Sequence, residues 1–433
     1  MKRILILGCN EITKRLILAL CLDRSLASGI ALASQKKEDC DDLKNLAFRR
    51  GFQVTTSAIN LDNPQGAMMM AKIIAPELVV NLMPPEFTQA AMDMAAQVGA
   101  DYIDGRLCGV PIMPSPNSLL SDQFKKFGSF QHAKKTAVCG AGFNPGVITT
   151  IVRNAAANDF AEVSKVDICV IPGDNPQAAS AAKSEDKKDA EVVEKGEDIL
   201  YSEDIKNPNA AKGVSSAQPV IHIKNGKAVP EPEFSKEAKT SEGRQVFMTS
   251  NPVVTDFLKE MPEISDASFF EPVVRREGRK VPTAKIEMLR SLGLLSDKPV
   301  KVGNVSVKPI DLVAEVLPKR LEEVITQEDP KAEDVEYKGK AFYEIYVSGV
   351  KNAKPLTKLY KITADNDEIR EKNGISAIEY LDGSAIIAGV KLMCLNKWVK
   401  PGVFTPAAFP ASLYFEALKS EGIAVEESES QPL

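Results

Sequence analysis

Near the start of the chain, Arg3-Ile4-Leu5-Ile6-Leu7-Gly8 runs into Cys9-Asn10-Glu11-Ile12-Thr13. An apolar strand, a glycine turn and a helix start, in that order, hold a pyrophosphate, because backbone N–H groups at the helix N-terminus point at the anion. The full loop reads G-x-G-x-x-G, and of its three glycines only Gly8 is present. Asn10 stands at the second position and is the expected substitute, since Asn visits positive φ more readily than most residues. Thr13 stands at the third, where a β-branched side chain is expected to push helix and strand apart or narrow the cofactor's room. Gly8, Asn10 and Glu11 are the candidates at the phosphate end. Taken alone, the motif fits a dinucleotide site and a cofactor-free fold equally well.

Three further positions bear on a nucleotide. The second strand ends Ala33-Ser34-Gln35-Lys36-Lys37, with no carboxylate before Glu38. A hydroxyl and ammonium groups attract a 2′-phosphate that an acid would repel, so Ser34, Gln35 and Lys36 favour NADP, with NAD possible. Asn81-Leu82-Met83-Pro84 ends the fourth strand, at the edge where open α/β sheets bind ligands; Asn81 and Met83 are cofactor candidates there. Phe143-Asn144-Pro145-Gly146 is a turn entering a helix, whose N–H groups could hold a carboxylate or the nicotinamide amide. For substrate, Arg106 and the cluster Arg275, Arg276 and Arg279 offer forked donors suited to carboxylates; a solvated charged loop is the other reading of the cluster.

Other chemistries are disfavoured. Two histidines and seven dispersed cysteines without a C-x-x-C pair predict no metal site and reduced thiols. No G-x-S-x-G elbow is present, and Cys139 on an apolar strand reads as an inert buried thiol. A formal net charge of -5 gives no whole-chain attraction to nucleic acid or an anionic membrane. No stretch approaches the ~18 apolar residues of a membrane span. The apolar run Ile4–Leu7 is too short for a signal peptide, and a cytoplasmic protein is expected.

The elements that must position these residues follow from the hydrophobic pattern. Candidate strands at 3–8, 29–34, 52–57, 77–83, 101–105 and 136–141 alternate with helical segments, and runs such as ILIL and LVV are apolar on both faces. That predicts an α/β fold, a Rossmann-type doubly wound parallel sheet, over residues 1–145. After Gly146 the pattern becomes mixed, predicting an inserted α+β domain over 146–385. It includes a hairpin at Asn225-Gly226 and a charged, mobile insertion near 174–217. The tail ASLYFEALKSEGIAVEESESQPL reads as a short amphipathic helix running into an acidic, disordered end.

Several stretches together resemble the saccharopine dehydrogenase family, and within it the carboxynorspermidine (carboxyspermidine) dehydrogenase branch. They are ILILGCN, ALASQKK, VVNLMPP (79–85), GADYIDG (99–105), CGAGFNPGV (139–147), LRSLGLL (289–295), NGISAIEYLDGSA (373–385) and NKWVKPGVF (396–404). The resemblance implies a Rossmann domain carrying NADP and an inserted substrate domain that helps form a homodimer. It also implies a C-terminal segment, about 386–433, that packs back on the first domain. The implied activity is an NADP-dependent dehydrogenase or reductase acting on CH–NH, with hydride transfer at a C–N bond of an amino-acid or polyamine-derived substrate. Asp104 and Lys285 are the catalytic candidates in this frame; Lys285 stands where the polyamine-forming relatives place a His. Gln35 replaces an Arg of the family, and Pro219–Lys224 lacks its aromatic and acidic stretch. With two loop glycines missing, the alternative is a non-catalytic relative kept as a binding or scaffold protein.

Overall fold

The computed structural model describes residues 1–108, 121–174, 200, 220–231, 236–272, 283–296, 298–303, 305–318 and 337–433. Strands β1 (Lys2–Leu7), β2 (Ala27–Ser34), β3 (Val54–Ala58), β4 (Leu78–Asn81), β5 (Asp101–Asp104) and β6 (Thr136–Val138) alternate with helices. These are α1 (Glu11–Leu22), α2 (Asp41–Arg49), α3 (Pro64–Ile74), α4 (Thr88–Val98) and α5 (Phe127–His132). The strands pair in parallel, and a seventh, Gly402–Phe404, closes the edge beside β6. The sheet order is Gly402–Phe404, β6, β5, β4, β1, β2, β3. Alternate residues of β1 enter different cores, Ile4 and Ile6 on one face and Leu5 and Leu7 on the other. A sheet covered on both faces has this need, and it explains why ILIL carries no polar alternation. The chain reverses its winding direction between β1 and β4, and a crevice opens at that point beyond the strands' carboxyl ends.

Helix α6 (Ile148–Asn158) leads into a second sheet of nine strands. Its central strand, Glu162–Ile171, lies between Asp266–Glu271, parallel to it, and Lys340–Lys351, antiparallel to it. Val220–Lys224 and Lys227–Glu231 form the hairpin expected at Asn225-Gly226, both of which have positive φ, 51° and 69°. A primed two-residue turn requires that backbone, and Asn-Gly supplies it at least cost.

The chain then returns to the first sheet. Helix Ala377–Cys394 opens with a capping box between Ser376 and Glu379 and lies along α1. Arg15 of α1 donates to the Tyr380 carbonyl at 2.8 Å and to Ser384 Oγ at 2.6 Å, with its guanidinium over the Tyr380 ring. Gly383 makes room for this arginine, since a Cβ there would stand 2.7 Å from Arg15 Nη1. Trp398 is buried between Phe409 and Tyr414, which fastens the last helix, Ala411–Ser420, to the same core.

The acidic end is ordered, contrary to the sequence expectation. Glu426–Glu429 pairs antiparallel with Lys354–Asp365, on the second sheet, setting Glu429 opposite Lys358 and Glu426 opposite Lys361. The run that reads as a solvated tail is the complement of a lysine-bearing strand, and opposite charges facing across a pair stabilise it. Lys358 bonds Glu427 and also donates to Asp159 at 2.6 Å, while the Tyr360 hydroxyl donates to the other Asp159 oxygen at 2.9 Å. Lys358→Ala is therefore expected to lower the unfolding free energy by about 1–2 kcal/mol, between the values for exposed and buried pairs. Urea titration checks it; an unchanged midpoint would show that the tail strand is held by its backbone alone.

Candidate active site

At the turn after β1, Gly8 has φ +94°, and a Cβ there would stand 2.8 Å from the Leu82 carbonyl oxygen. Both the backbone conformation and the close approach of β4 demand glycine. The other two loop positions work differently from the sequence expectation. Asn10 is extended, φ -139°, and replaces a glycine through its side chain. Its Oδ1 accepts from the Thr13 N–H at 3.0 Å, capping α1, and its Nδ2 donates to the Leu82 carbonyl at 3.0 Å. Thr13 is fully buried, and its hydroxyl donates to the Gly8 carbonyl at 2.8 Å. The hydroxyl turns the predicted steric obstacle into a bond across the loop. Glu11 is exposed and pairs with Lys14.

The end of β2 differs as well. Ser34 donates to an Asp39 carboxylate oxygen at 2.8 Å, so an acid does stand at this strand end; Gln35 and Lys36 are exposed. Cys9 and Cys40 form a disulfide, with Cα atoms 5.7 Å apart, which corrects the expectation that all thiols are reduced. The two cysteines are 31 residues apart in sequence but follow neighbouring strands, and pairing β1 with β2 brings them together. The other five stand outside any disulfide, and Cys139 is buried as expected.

A buried polar network underlies the ends of β4 and β5. Asn81 Nδ2 donates to the Tyr102 hydroxyl at 2.9 Å, and that hydroxyl donates to Asp104 Oδ2 at 2.9 Å. Gln123 donates to the same oxygen at 2.6 Å, and the Gly140 N–H donates to Oδ1 at 2.8 Å. Burial pushes the Asp104 carboxyl up to about 6, and these donors restrain the rise. Asn81 Oδ1 accepts from the Met83 N–H at 3.2 Å and fixes the bend after β4.

Above this network lie two cavities. One, of about 350 Å³, is lined by Asn10, Asn81, Met83, Asp104, Arg106 and Asp382 at the sheet's carboxyl edge. The other, of about 330 Å³, lies toward the second sheet and includes Arg106, Asn144, Pro145, Asn251, Glu271, Tyr343 and Asp382 in its wall. Arg106 and Asp382 belong to both. The Phe143 ring is buried against Tyr343, with centroids 4.4 Å apart, and Gly146 is buried behind it. The N–H groups of Phe143 and Asn144 serve the protein's own Asp382 carboxylate, at 2.9 Å for Phe143, and so are not open to a ligand as the sequence suggested.

Asp104 and Arg106 thus meet Asn10, Asn81 and Met83 around the first cavity, and Arg106 meets Asn144 and Pro145 around the second. Lys285 does not join them: it lies on the helix Thr283–Ser291 and lines neither cavity. Arg275, Arg276 and Arg279 lie outside the described residues, as does the charged insertion apart from Asp174 and Leu200. Asp382, Glu271, Asn251 and Tyr343 were missed. Asp382 did carry a signal, since it is an acid beside the small apolar run Gly383–Gly389 in a matching segment. The other three come from strands and a helix start whose register the sequence does not define.

A doubly wound sheet whose ligand crevice opens into a pocket under a second, mixed sheet is the layout of a two-domain dinucleotide-dependent oxidoreductase. Residues 4–138 match the family model described as saccharopine dehydrogenase NADP binding domain. The chain is an oxidoreductase, and the part of it that matches is the NADP-binding domain of saccharopine dehydrogenases. Across 426 residues it is 23% identical to the carboxynorspermidine synthase of Vibrio cholerae, covering 95% of this chain and 93% of the relative. It is 22% identical over 378 residues to the carboxyaminopropylagmatine dehydrogenase of Synechocystis, covering 87% and 85%. Among solved structures, the apo saccharopine dehydrogenase (L-Glu forming) of Saccharomyces cerevisiae shares the fold over 100% of both chains, with a TM-score of 0.62 and 13% identity.

Two predictions follow from the loop. Gly8→Val, which forces a side chain into the Leu82 carbonyl, should abolish NADPH binding measured by calorimetry while the second sheet stays folded by circular dichroism. Retained binding would remove this turn from the site. Cys9→Ser should lower the unfolding free energy by about 3–4 kcal/mol under non-reducing conditions, the loop-closure effect of a bridge spanning about 30 residues. Reductant should bring the unsubstituted protein to the same stability, and indifference to reductant would contradict the bridge.

Proposed function

We propose that the protein transfers a hydride between NADP and a carbon–nitrogen bond of an amino-acid or polyamine-derived substrate, of the carboxynorspermidine or saccharopine kind. The observation that carries this reading is that Arg106 and Asp382 line both cavities, on a chain that aligns nearly end to end with enzymes named for such substrates. The cofactor fits the residues present, because Gly8 leaves its turn free of a side chain and Asn10 holds the start of α1 against β4. Gly8, Asn10 and Glu11 would lie at the pyrophosphate, Ser34, Gln35 and Lys36 at the adenosine ribose, and Asn81 and Met83 at the nicotinamide, with Asn144 and Pro145 on the neighbouring pocket wall and the buried Phe143 and Gly146 shaping their turn. Bound there, NADP supplies or accepts the hydride.

The chain's own residues do the rest. Arg106, exposed and without an ion pair among the described residues, would fork onto a substrate carboxylate. Arg275 and Arg276 are proposed as further carboxylate ligands. Glu271, across the pocket, has the charge to receive an ammonium group. Asp104, saturated by donors, would act by fixing Asn81 and Gly140, and Lys285 would enter only by movement of its helix. In this reading residues 1–145 are the nucleotide domain and 146–385 the substrate and dimerisation domain, with the chain from about 386 packed back on the first. The protein would work in the cytoplasm as a homodimer with small-molecule ligands, free of nucleic acid and membrane; net charge -5 agrees with that. The missing glycines favour one other reading, a cofactor-free binding protein.

Calorimetric titration with NADPH and NADH separates them. Micromolar binding with NADPH preferred is the expected result, followed by NADPH consumption when paired amines and aldehydes are offered. Arg106→Ala should then raise KM for the carboxylate-bearing partner about 10- to 100-fold, the worth of one charge-assisted contact, with little change in kcat. Failure of the folded protein to bind either nucleotide would leave the cofactor-free reading.

A further inference from the structure

Chemistry at a C–N bond needs a group that holds the nitrogen's proton, and few groups at the junction of the two cavities can do so. Arg106 keeps its proton at any working pH. Both Asp104 oxygens already accept from protein donors beneath the cavity. Tyr343 is buried against Phe143, and its hydroxyl is pushed well above its ordinary range by burial. Asp382 remains; it lines both cavities, and its carboxylate is anchored by the Phe143 N–H.

We propose that Asp382 takes the proton from the reacting nitrogen and returns it. The assignment rests on the hydride-transfer reading above. In the oxidative direction one N–H bond of the substrate ammonium breaks and an O–H bond forms on Asp382. NADP⁺, which the turn after β1 would hold, would supply the hydride acceptor, so that the freed electron pair could form the C=N bond as the adjacent carbon loses its hydride. Reduction runs the same transfers backwards.

The surroundings of Asp382 suit both states. Burial raises its carboxyl to about 6; the N–H groups of Phe143 and Asn144 and the charge of Arg106 oppose that rise, and Glu379 one turn earlier adds to it. Tyr343 from the strand Lys340–Lys351 and Tyr414 from the helix Ala411–Ser420 face it as neutral phenols. Glu271 is the remaining acid on the pocket wall. A carboxyl in this balance changes protonation near neutrality when a charge arrives beside it.

The test counts protons as well as turnover. The full chain is titrated at pH 6 with NADP⁺ and with NADPH in two buffers of different ionisation enthalpy. NADP⁺, whose nicotinamide is positive, should expel roughly half a proton per site, and NADPH clearly less. Asp382→Asn, which keeps an oxygen for the Phe143 N–H, should bind NADP⁺ about three- to tenfold more weakly and lose the excess release of NADP⁺ over NADPH, keeping only what the 2′-phosphate and Asp104 contribute; Asp382→Glu should restore the excess. In amine oxidation at saturating NADP⁺, kcat/KM should rise tenfold per pH unit below a break that the bound nucleotide sets under about 6, and Asp382→Asn should lose that limb and fall about 100-fold. Equal proton release from the unsubstituted protein and Asp382→Asn, or a retained acid limb, overturns the assignment alone. Binding of neither nucleotide overturns the hydride-transfer reading and this assignment with it.

Discussion

The hydrogen bond from the Phe143 N–H to the Asp382 carboxylate, 2.9 Å long, joins residues 239 apart in sequence and holds the candidate site together. Phe143 belongs to the turn by which the chain leaves the first sheet, and Asp382 to the helix by which it comes back. The bond fixes Asp382 in the wall that, with Arg106, the two cavities share. The packing around it is correspondingly restrictive. A Cβ on Gly142 would stand 2.5 Å from the Gly105 carbonyl oxygen and 3.4 Å from Asp382 Oδ1, and Arg15 occupies the space beside Gly383. Hydrogen bonds in such enclosed surroundings are strong, and losing one partner is costly, so the junction is rigid where chemistry would need rigidity.

The nucleotide end rests on a substitution of means. In the usual loop, glycines let backbone and helix approach closely. Here Asn10 and Thr13 obtain the approach by bonding to the Leu82 and Gly8 carbonyls, and the Cys9–Cys40 bridge ties the turn to the residues after β2. Side chains thus do what absent side chains do elsewhere. The geometry of the loop is retained although two of its glycines are gone.

This explains what could be read from the sequence and what could not. The first sheet was legible because both faces of each strand must be apolar, and the Asn225-Gly226 hairpin because few residue pairs adopt that turn. The family resemblance was legible because several strand ends matched at once. The roles of Asn10 and Thr13 were not, since residue type alone does not tell a backbone substitute from a hydrogen-bonding one. The tail strand was hidden because its acids look solvated until Lys358 and Lys361 are known to lie opposite. Asp382 was hidden for a related reason: its partners belong to a turn that only the tertiary fold brings near.

The central claim is that nucleotide and substrate meet at the wall formed by Arg106 and Asp382. A crystal structure of the full chain grown with NADP⁺ tests it most directly. The account predicts the pyrophosphate at the start of α1 and the nicotinamide between Asn81 and Asp382, with its reactive face toward the pocket that contains Glu271. A nicotinamide directed away from Asp382, or a nucleotide bound outside the crevice between β1 and β4, would contradict it.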